Sequence, residues 1–113
     1  MIEMIGTGRQ ASAVDYRNAM DKRDWLRSEI SAFFDRYDAI ITPATSGEAP
    51  AGLDATGSPA FCTLWTYLGL PAVTIPLLAG NNDLPIGVQV VGPKGDDARL
   101  LRTVRWIVAT LAE

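Results

Sequence analysis

Two short apolar runs, residues 70–76 and 84–92, limit what this chain can fold into more than any other feature of its sequence. Each run is rich in β-branched residues and is bounded by proline or glycine, which end strands and cannot extend a helix. The segment Gly-Asn-Asn-Asp at residues 80–83 separates the two runs and has the composition of a turn. The pattern therefore predicts a β-hairpin.

The second run has apolar side chains on both faces of its strand. Val88 and Val90 share one face and Val91 lies on the other, because side chains alternate along a strand. A strand that is apolar on both faces is covered on both sides, as in layered α/β proteins. We therefore expect an α/β fold in which helices cover the hairpin.

Before the hairpin, apolar residues at helical spacing predict a long amphipathic helix that begins after Ser12 and ends near Tyr37. Ser12 and Asp15 have the spacing of a capping box, although aspartate replaces the usual glutamate or glutamine. Residues 1–11 show no sustained period, so we expect an irregular lead-in there. The apolar stripe of the helix consists of Leu26, Ile30, Phe33, Phe34 and Tyr37.

Two further helices are predicted, one before the hairpin and one after it. A short apolar face closed by Gly69 indicates the first, since glycine is a common residue just past a helix end. The second begins at Asp96, where Asp96 or Asp97 would cap it, and we expect its apolar stripe to cover one face of the hairpin. The two stripes consist of Phe61, Leu64, Trp65 and Leu68, and of Leu100, Leu101, Val104, Ile107, Val108 and Leu111.

A short strand and a long loop connect the first two helices. The apolar residues near 39–42, ended by Pro43, predict a buried strand. Residues 44–58 are rich in glycine, proline and serine and have no apolar period, which predicts a loop. Loops longer than about 12 residues are usually functional or disordered, so this one indicates either a pocket beside the strand end or a flexible surface excursion.

The composition is that of one globular domain. With 113 residues, of which 48% are hydrophobic and 20% charged, we expect a single domain over residues 1–113. The net charge is −3 and the arginines are scattered, which argues against nucleic-acid binding by this chain. No apolar run approaches the roughly 20 residues that span a bilayer, and no export signal is recognised near Met1. We therefore expect a cytoplasmic protein that has no contact with the membrane.

Several kinds of catalytic chemistry are excluded. The sequence has no histidine, so Ser-His-Asp and Cys-His arrangements cannot form, and zinc would find only Cys62 and carboxylates as ligands. We expect no metal site and no cofactor. Cys62 lies on the apolar side of a predicted helix, which favours a buried structural thiol. Lys22 and Lys94 lie outside any Gly-Ser-rich stretch that could offer an activated serine, so we identify no catalytic residue.

Several motifs occur in an order that resembles the C-terminal part of amidase signature enzymes, the family that includes amidases and the A subunits of amidotransferases. These motifs lie at residues 37–43, 57–61, 65–66, 69–76 and 84–92. The resemblance implies part of an α/β/α fold, here a small mixed sheet with a β-hairpin packed by the long N-terminal and the C-terminal helix. It also implies amide hydrolysis by a serine, a second serine in a cis peptide and a lysine, which belong to the N-terminal half of the family's fold. The signature that carries them is not found in this chain, so we expect the chain alone to be inactive.

The resemblance also suggests which residues face a substrate pocket. By position in the family these are Thr42 at the end of the predicted strand, and Ser58, Phe61 and Trp65. For Phe61 and Trp65 the alternative is a purely structural place in the core. Family members often carry an acidic residue near Ser58, and its absence here leaves the substrate class open.

Two functions remain open from the sequence. The first is a C-terminal fragment or domain of an amide hydrolase, which supplies core and pocket wall but not the catalytic residues. The second is a stand-alone interaction module that self-associates. Because a small sheet taken from a larger fold leaves a strand edge and apolar surface uncovered, we expect the partner to be either another copy of the chain or the missing N-terminal amidase half.

Overall fold

Helices and strands follow one another along residues 2–112, the part of the chain that the computed structural model describes. The predicted α/β class is confirmed, and each helix and strand predicted from apolar spacing is present. In chain order the elements are α1 (Ile2–Gln10), α2 (Ala13–Ser31), a 3₁₀ turn (Ala32–Asp35), β1 (Ile40–Pro43), α3 (Ala60–Leu68), β2 (Ala72–Ala79), β3 (Pro85–Val91) and α4 (Asp97–Leu111).

The three strands form one sheet in the order β1-β3-β2. The hairpin is confirmed: β2 and β3 are antiparallel, with Ala72 opposite Val91 and a bulge between Pro76 and Leu78. β3 is also antiparallel to β1, with Ile40 opposite Val91. Where we expected a mixed sheet, both pairings within the described residues are therefore antiparallel. For the hairpin the reason is the short turn, since a parallel pair needs a crossover of roughly a dozen residues or more.

Helices cover both faces of β3, as its apolar pattern predicted. Val91 points toward α2 and α3, and Val90 points toward α4. Both side chains are almost completely buried. The buried residues on the first face are Phe34, Trp65, Leu68, Leu70 and Val91, and those on the second are Ile75, Val90 and Leu100.

Arginine side chains tie the helices together at their ends. Arg27 of α2 donates a hydrogen bond from Nε to the carbonyl oxygen of Leu68 at 2.8 Å, at the end of α3. Arg99 of α4 donates from Nη2 to the carbonyl oxygens of Phe34 at 2.9 Å and Tyr37 at 3.2 Å. Carbonyl groups at a helix end have no partner within the helix, and the one of Tyr37 follows the 3₁₀ turn, so these arginines satisfy groups that would otherwise need water.

The N-terminal segment differs from the prediction, because residues 2–10 form helix α1 instead of an irregular lead-in. All side chains of residues 4–10 are exposed. Since residues 4–10 bury no face, they carry no apolar period of the kind that indicates the other helices. Gly6 and Gly8 also lower the intrinsic helix propensity of the segment.

The apolar stripes predicted for the long helix and for α4 are only partly buried. The long helix ends at Ser31 and continues as a 3₁₀ turn, which places Phe34 in the core and leaves Phe33 exposed. In α4 only Leu100 is fully buried, while Leu101, Val108 and Leu111 are exposed. A three-stranded sheet offers a narrow surface, so it covers only the central line of each stripe.

The capping box of α2 is present and gives a first prediction. The backbone N–H of Asp15 donates to Ser12 Oγ at 3.1 Å, and the N–H of Ser12 donates to Asp15 Oδ2 at 3.1 Å. The Ser12→Ala variant is expected to weaken the first turn by about 1 kcal/mol, which amide hydrogen exchange of residues 16–19 would show as faster exchange. Ser28→Ala, in the same helix, is the control, and equal exchange in both variants would contradict this role of Ser12.

Candidate functional site

A cavity of about 370 Å³ lies between the long loop and one face of the sheet. Its lining includes residues 44–50 of the loop, Ser58, Cys62 of α3, Thr74 of β2 and Gly87 of β3. Ligand pockets in proteins typically measure roughly 300–1,000 Å³, so the cavity has room for a small molecule. It lies directly after β1, where the length of the loop left a pocket and a flexible surface excursion as alternatives.

Gly87 allows the loop to lie this close to the sheet. A Cβ atom at Gly87 would stand 2.2 Å from Thr74 Cγ2 and 3.2 Å from the Cβ of Ala44. Without one, the backbone N–H of Ala44 donates to the Gly87 carbonyl oxygen at 2.9 Å. The glycine thus fixes where the loop leaves the sheet, and this sets one wall of the cavity.

Polar side chains form a row across the sheet beside this cavity. Thr42, Gln89 and Thr74 stand opposite one another on β1, β3 and β2. Gln89 is 5% exposed, and its Nε2 donates to Thr42 Oγ1 at 3.1 Å and to the Phe61 carbonyl oxygen at 3.0 Å. Since a buried amide without partners would destabilise the fold, these bonds hold β1 and the start of α3 against β3.

Cys62 joins the same group of contacts. Its Sγ lies 3.4 Å from the Ala44 carbonyl oxygen and 3.8 Å from Gln89 Oε1. The thiol was predicted to be buried, but it is half-buried. The reason is the cavity, which leaves one side of α3 without a packed neighbour.

The structure separates the predicted pocket residues. Ser58 lines the cavity, and its Oγ accepts a hydrogen bond from the backbone N–H of Ala60 at 3.3 Å. Thr42 lies in the polar row, and Phe61 joins it through its carbonyl oxygen while its side chain is 37% exposed. Trp65 is buried in the core with Val91. The role of these residues in substrate binding stays a prediction.

Gln89 was not identified from the sequence, although a signal was present. It is the only polar residue of β3, a strand otherwise made of apolar residues, proline and glycine. A polar side chain at the centre of a buried strand needs hydrogen-bond partners. That need could have pointed to a polar contact with a neighbouring element.

Glu48 is a second residue that sequence reasoning missed. Its Oε1 accepts a hydrogen bond from the backbone N–H of Asn82 at 2.7 Å, and its Oε2 accepts one from Asn82 Nδ2 at 2.6 Å. These bonds, first the backbone one and then the side-chain one, lower the pKa of Glu48 below its ordinary value. They connect the middle of the loop to the turn of the hairpin.

Lowering the pH is expected to break the contact between Glu48 and Asn82. Because the pKa of Glu48 is lower in the folded than in the unfolded chain, its hydrogen bonds stabilise the fold above the unfolded pKa and are lost as the pH falls through the folded one. In an NMR titration, the backbone and side-chain amide resonances of Asn82 should shift with a midpoint below the ordinary pKa of a glutamate. Glu48→Gln should abolish the shift, and its persistence in that variant would contradict the assignment.

Neither a metal centre nor a membrane span is present within residues 2–112. In this part of the chain, no group of at least three histidine, cysteine, aspartate or glutamate side chains could hold a metal ion. None of its helices is long and apolar enough to cross a membrane.

Comparison with known proteins decides the family. The sequence profile of the family described as Amidase matches residues 2–101, which is most of the chain. The chain belongs to the amidase family. The resemblance drawn from the order of its motifs is thereby confirmed.

The relatives in the amidase family are much longer than this chain. The A subunit of glutamyl-tRNA(Gln) amidotransferase from Thermotoga maritima is 33% identical over an alignment of 113 positions, which covers 92% of this chain and 24% of the relative. Its counterpart from Halothermothrix orenii is 30% identical over an alignment of 94 positions, which covers 78% of this chain and 20% of the relative. The chain thus spans about a fifth to a quarter of the length of these relatives.

Solved structures also match this chain over only part of their own length. The 6-aminohexanoate cyclic dimer hydrolase superposes on 94% of this amidase-family chain with a TM-score of 0.67 and 20% identity, using 28% of its own length. The same hydrolase complexed with substrate covers 88% of the chain with a TM-score of 0.66 and 21% identity. The expected fold, a portion of the amidase signature fold, is therefore confirmed.

Proposed function

We propose that this chain works as one part of an amide hydrolase, in which it supplies core and one wall of the substrate pocket. The observation that carries the proposal is the cavity beside the buried row of Thr42, Gln89 and Thr74, in a chain that belongs to the amidase family. The hydrogen bond from Ala44 to the carbonyl oxygen of Gly87, where the lack of a Cβ gives the space, holds the start of the loop against the sheet. On the sheet side, the row presents neutral polar groups, which suit a substrate that carries an uncharged amide.

We further propose that the catalytic residues of that hydrolase come from outside this chain. In support of this, the cavity is lined by serine and threonine side chains, but its described lining contains no lysine. Lys22 and Lys94 are exposed, on α2 and on the turn after β3.

The single cysteine, which cannot form a disulfide within the chain, favours a reducing compartment such as the cytoplasm.

A chimera tests this function. The region of the 6-aminohexanoate cyclic dimer hydrolase that superposes on this chain is replaced by the chain, and hydrolysis of the cyclic dimer is measured. We expect measurable turnover, and loss of it when Gly87→Val fills the space between loop and sheet in the same chimera. A soluble chimera that melts cooperatively but does not hydrolyse the dimer would refute the pocket-wall role.

The isolated chain gives the complementary test. We expect it to hydrolyse a simple aryl amide no faster than buffer. Turnover that persists through repurification and is lost on substitution of one serine or lysine would show that the chain carries its own catalytic residues.

An apolar face on the α4 side indicates where the rest of the hydrolase would pack. Ile41, Leu77, Trp106 and Leu111 are exposed and enclose a groove of about 360 Å³. Exposed apolar patches of this kind mark interaction sites. We propose that the remaining polypeptide of an amidase-type fold covers this face, because the relatives are four to five times as long as the region they share with the chain.

The same face favours the alternative of a self-associating module. Without the remaining polypeptide, we expect two copies of the chain to cover each other's apolar face. Light scattering at micromolar concentration should give a dimer or larger oligomer for the chain and for Trp25→Asp on α2, but a smaller mass for Trp106→Asp. A cooperatively melting monomer at all concentrations would show that the face needs no cover.

A further inference from the structure

We propose that residues 44–58 form a movable cover over the cavity, and that the contact between Glu48 and Asn82 is the latch that holds it closed. The inference rests on the proposed function only for what enters the cavity, namely the substrate of the hydrolase. The latch itself is a mechanical property of this chain, and it can be tested without amide hydrolysis.

The loop has few other attachments. Its first residue, Ala44, is bound to the Gly87 carbonyl oxygen. Across residues 45–57, the hydrogen bonds of Glu48 with the hairpin turn are the only ones to another segment in the described structure. Segments with few bonds to their surroundings open at a lower free energy than the core, so breaking this contact would free the middle of the loop.

The hairpin turn has a defined shape and leaves space for the side chain of Glu48. The N–H of Gly80 donates to the Leu84 carbonyl oxygen at 3.0 Å, and the N–H of Asp83 donates to the Gly80 carbonyl oxygen at 3.2 Å, so the turn holds its own shape. A Cβ atom at Gly80 would stand 2.2 Å from Cγ of Glu48. Glycine at this position therefore leaves the space that the latch occupies.

No ion pair between the loop and the hairpin turn can replace the contact between Glu48 and Asn82. The loop and the turn contain the acidic residues Glu48, Asp54 and Asp83 and no lysine, arginine or histidine. An ion pair between the two segments is thus excluded. The only ionisable side chain in the rest of the cavity wall is Cys62. The middle of the loop is held by the hydrogen bonds that Glu48 accepts from the hairpin turn, chiefly the two from Asn82.

Cys62 reports on the cover directly. It is the single cysteine of the chain and lies in the cavity wall with Glu48 and the loop. A neutral thiol reagent such as N-ethylmaleimide therefore labels the chain only at this site, at a rate that depends on how often the cover is open. Because hydrogen bonds to charged groups are among the stronger ones, Glu48→Ala is expected to raise the labelling rate by about tenfold or more.

Matched variants separate the latch from other effects. Asn82→Ala removes the side-chain hydrogen bond but keeps the backbone one, so it should raise the rate less than Glu48→Ala. The double variant should label no faster than Glu48→Ala alone, since Glu48→Ala already removes both hydrogen bonds. Gly80→Ala keeps both partners but displaces the glutamate, so it should raise the rate as well. Asp54→Ala removes an acid of the same loop outside the latch and should label at the original rate.

Two results would overturn the proposal. One is unchanged labelling in Glu48→Ala and Gly80→Ala. The other is faster labelling that follows global unfolding, which is measured as an equal gain in amide exchange at Val90 and Val91 of β3. Either result leaves the amide-hydrolase proposal intact, because the chimera tests that proposal separately.

Discussion

The variant Leu100→Asp is expected to unfold the chain, whereas the same change at the neighbouring Leu101 is expected to leave it folded. Leu100 of α4 is 2% exposed and packs against Val90 and Ile75 of the sheet, whereas Leu101 is 59% exposed. A carboxylate forced into that core without a partner costs several kcal/mol, which is comparable to the roughly 5–15 kcal/mol that stabilise a typical domain. Urea unfolding followed by circular dichroism measures both variants.

The pair of variants tests the orientation of α4 and not only its presence. Both residues are leucine, both lie in the same turn, and both belong to the predicted apolar stripe. Gly92 also lies close to Leu100, since a Cβ atom at Gly92 would be 2.8 Å from the Cβ of Leu100. Equal unfolding midpoints for the two aspartate variants would mean that α4 presents another face to the sheet.

Gln89→Glu is expected to destabilise the fold at neutral pH, although the two side chains have nearly the same shape. The Nε2 of Gln89 donates to Thr42 Oγ1 and to the Phe61 carbonyl oxygen. An ionised glutamate has only acceptors, so it would leave the Phe61 carbonyl oxygen without a donor and place a charge where the side chain is 5% exposed. We expect a loss of about 1–3 kcal/mol or more, because a buried group is left unsatisfied.

The pH dependence of this loss separates charge from shape. Burial would raise the folded pKa of the new glutamate above its unfolded value of about 4.3, so the destabilisation grows as the pH rises above that value and fades below it. Gln89→Met removes the hydrogen bonds without adding a charge, and its loss relative to the original chain should not vary with pH. A Gln89→Glu variant as stable as the original at pH 7 would show that Gln89 does not hold the row together.

The elements that could be predicted are those whose cause lies within a few residues. Ser12 and Asp15 form the expected capping box, and Asp96 accepts a hydrogen bond from the N–H of Arg99 as the cap of α4. Gly69 ends α3 in the left-handed conformation that glycine adopts without strain. Each of these signals is local, so no knowledge of the rest of the fold was needed.

The candidate site could be predicted only in outline. The length of the loop indicated either a pocket after β1 or a flexible excursion, and a cavity lined by Ser58 lies there. Phe61 and Trp65 had the same apolar spacing on α3, yet only Trp65 is buried. Spacing places both on one face of the helix, but the end of the sheet covers only the one nearer to Val91.

The hairpin, the helices with an apolar stripe, their caps and the family could be predicted from the amino-acid order alone, because they follow from neighbouring residues and from the order of motifs. The strand order β1-β3-β2, the buried hydrogen bonds of Gln89 and the contact between Glu48 and Asn82 became known only from the folded chain. These join residues far apart in the chain, and no local pattern encodes which of them meet. Their partners are selected by the packing of the whole sheet, in which each buried polar group must find a hydrogen bond.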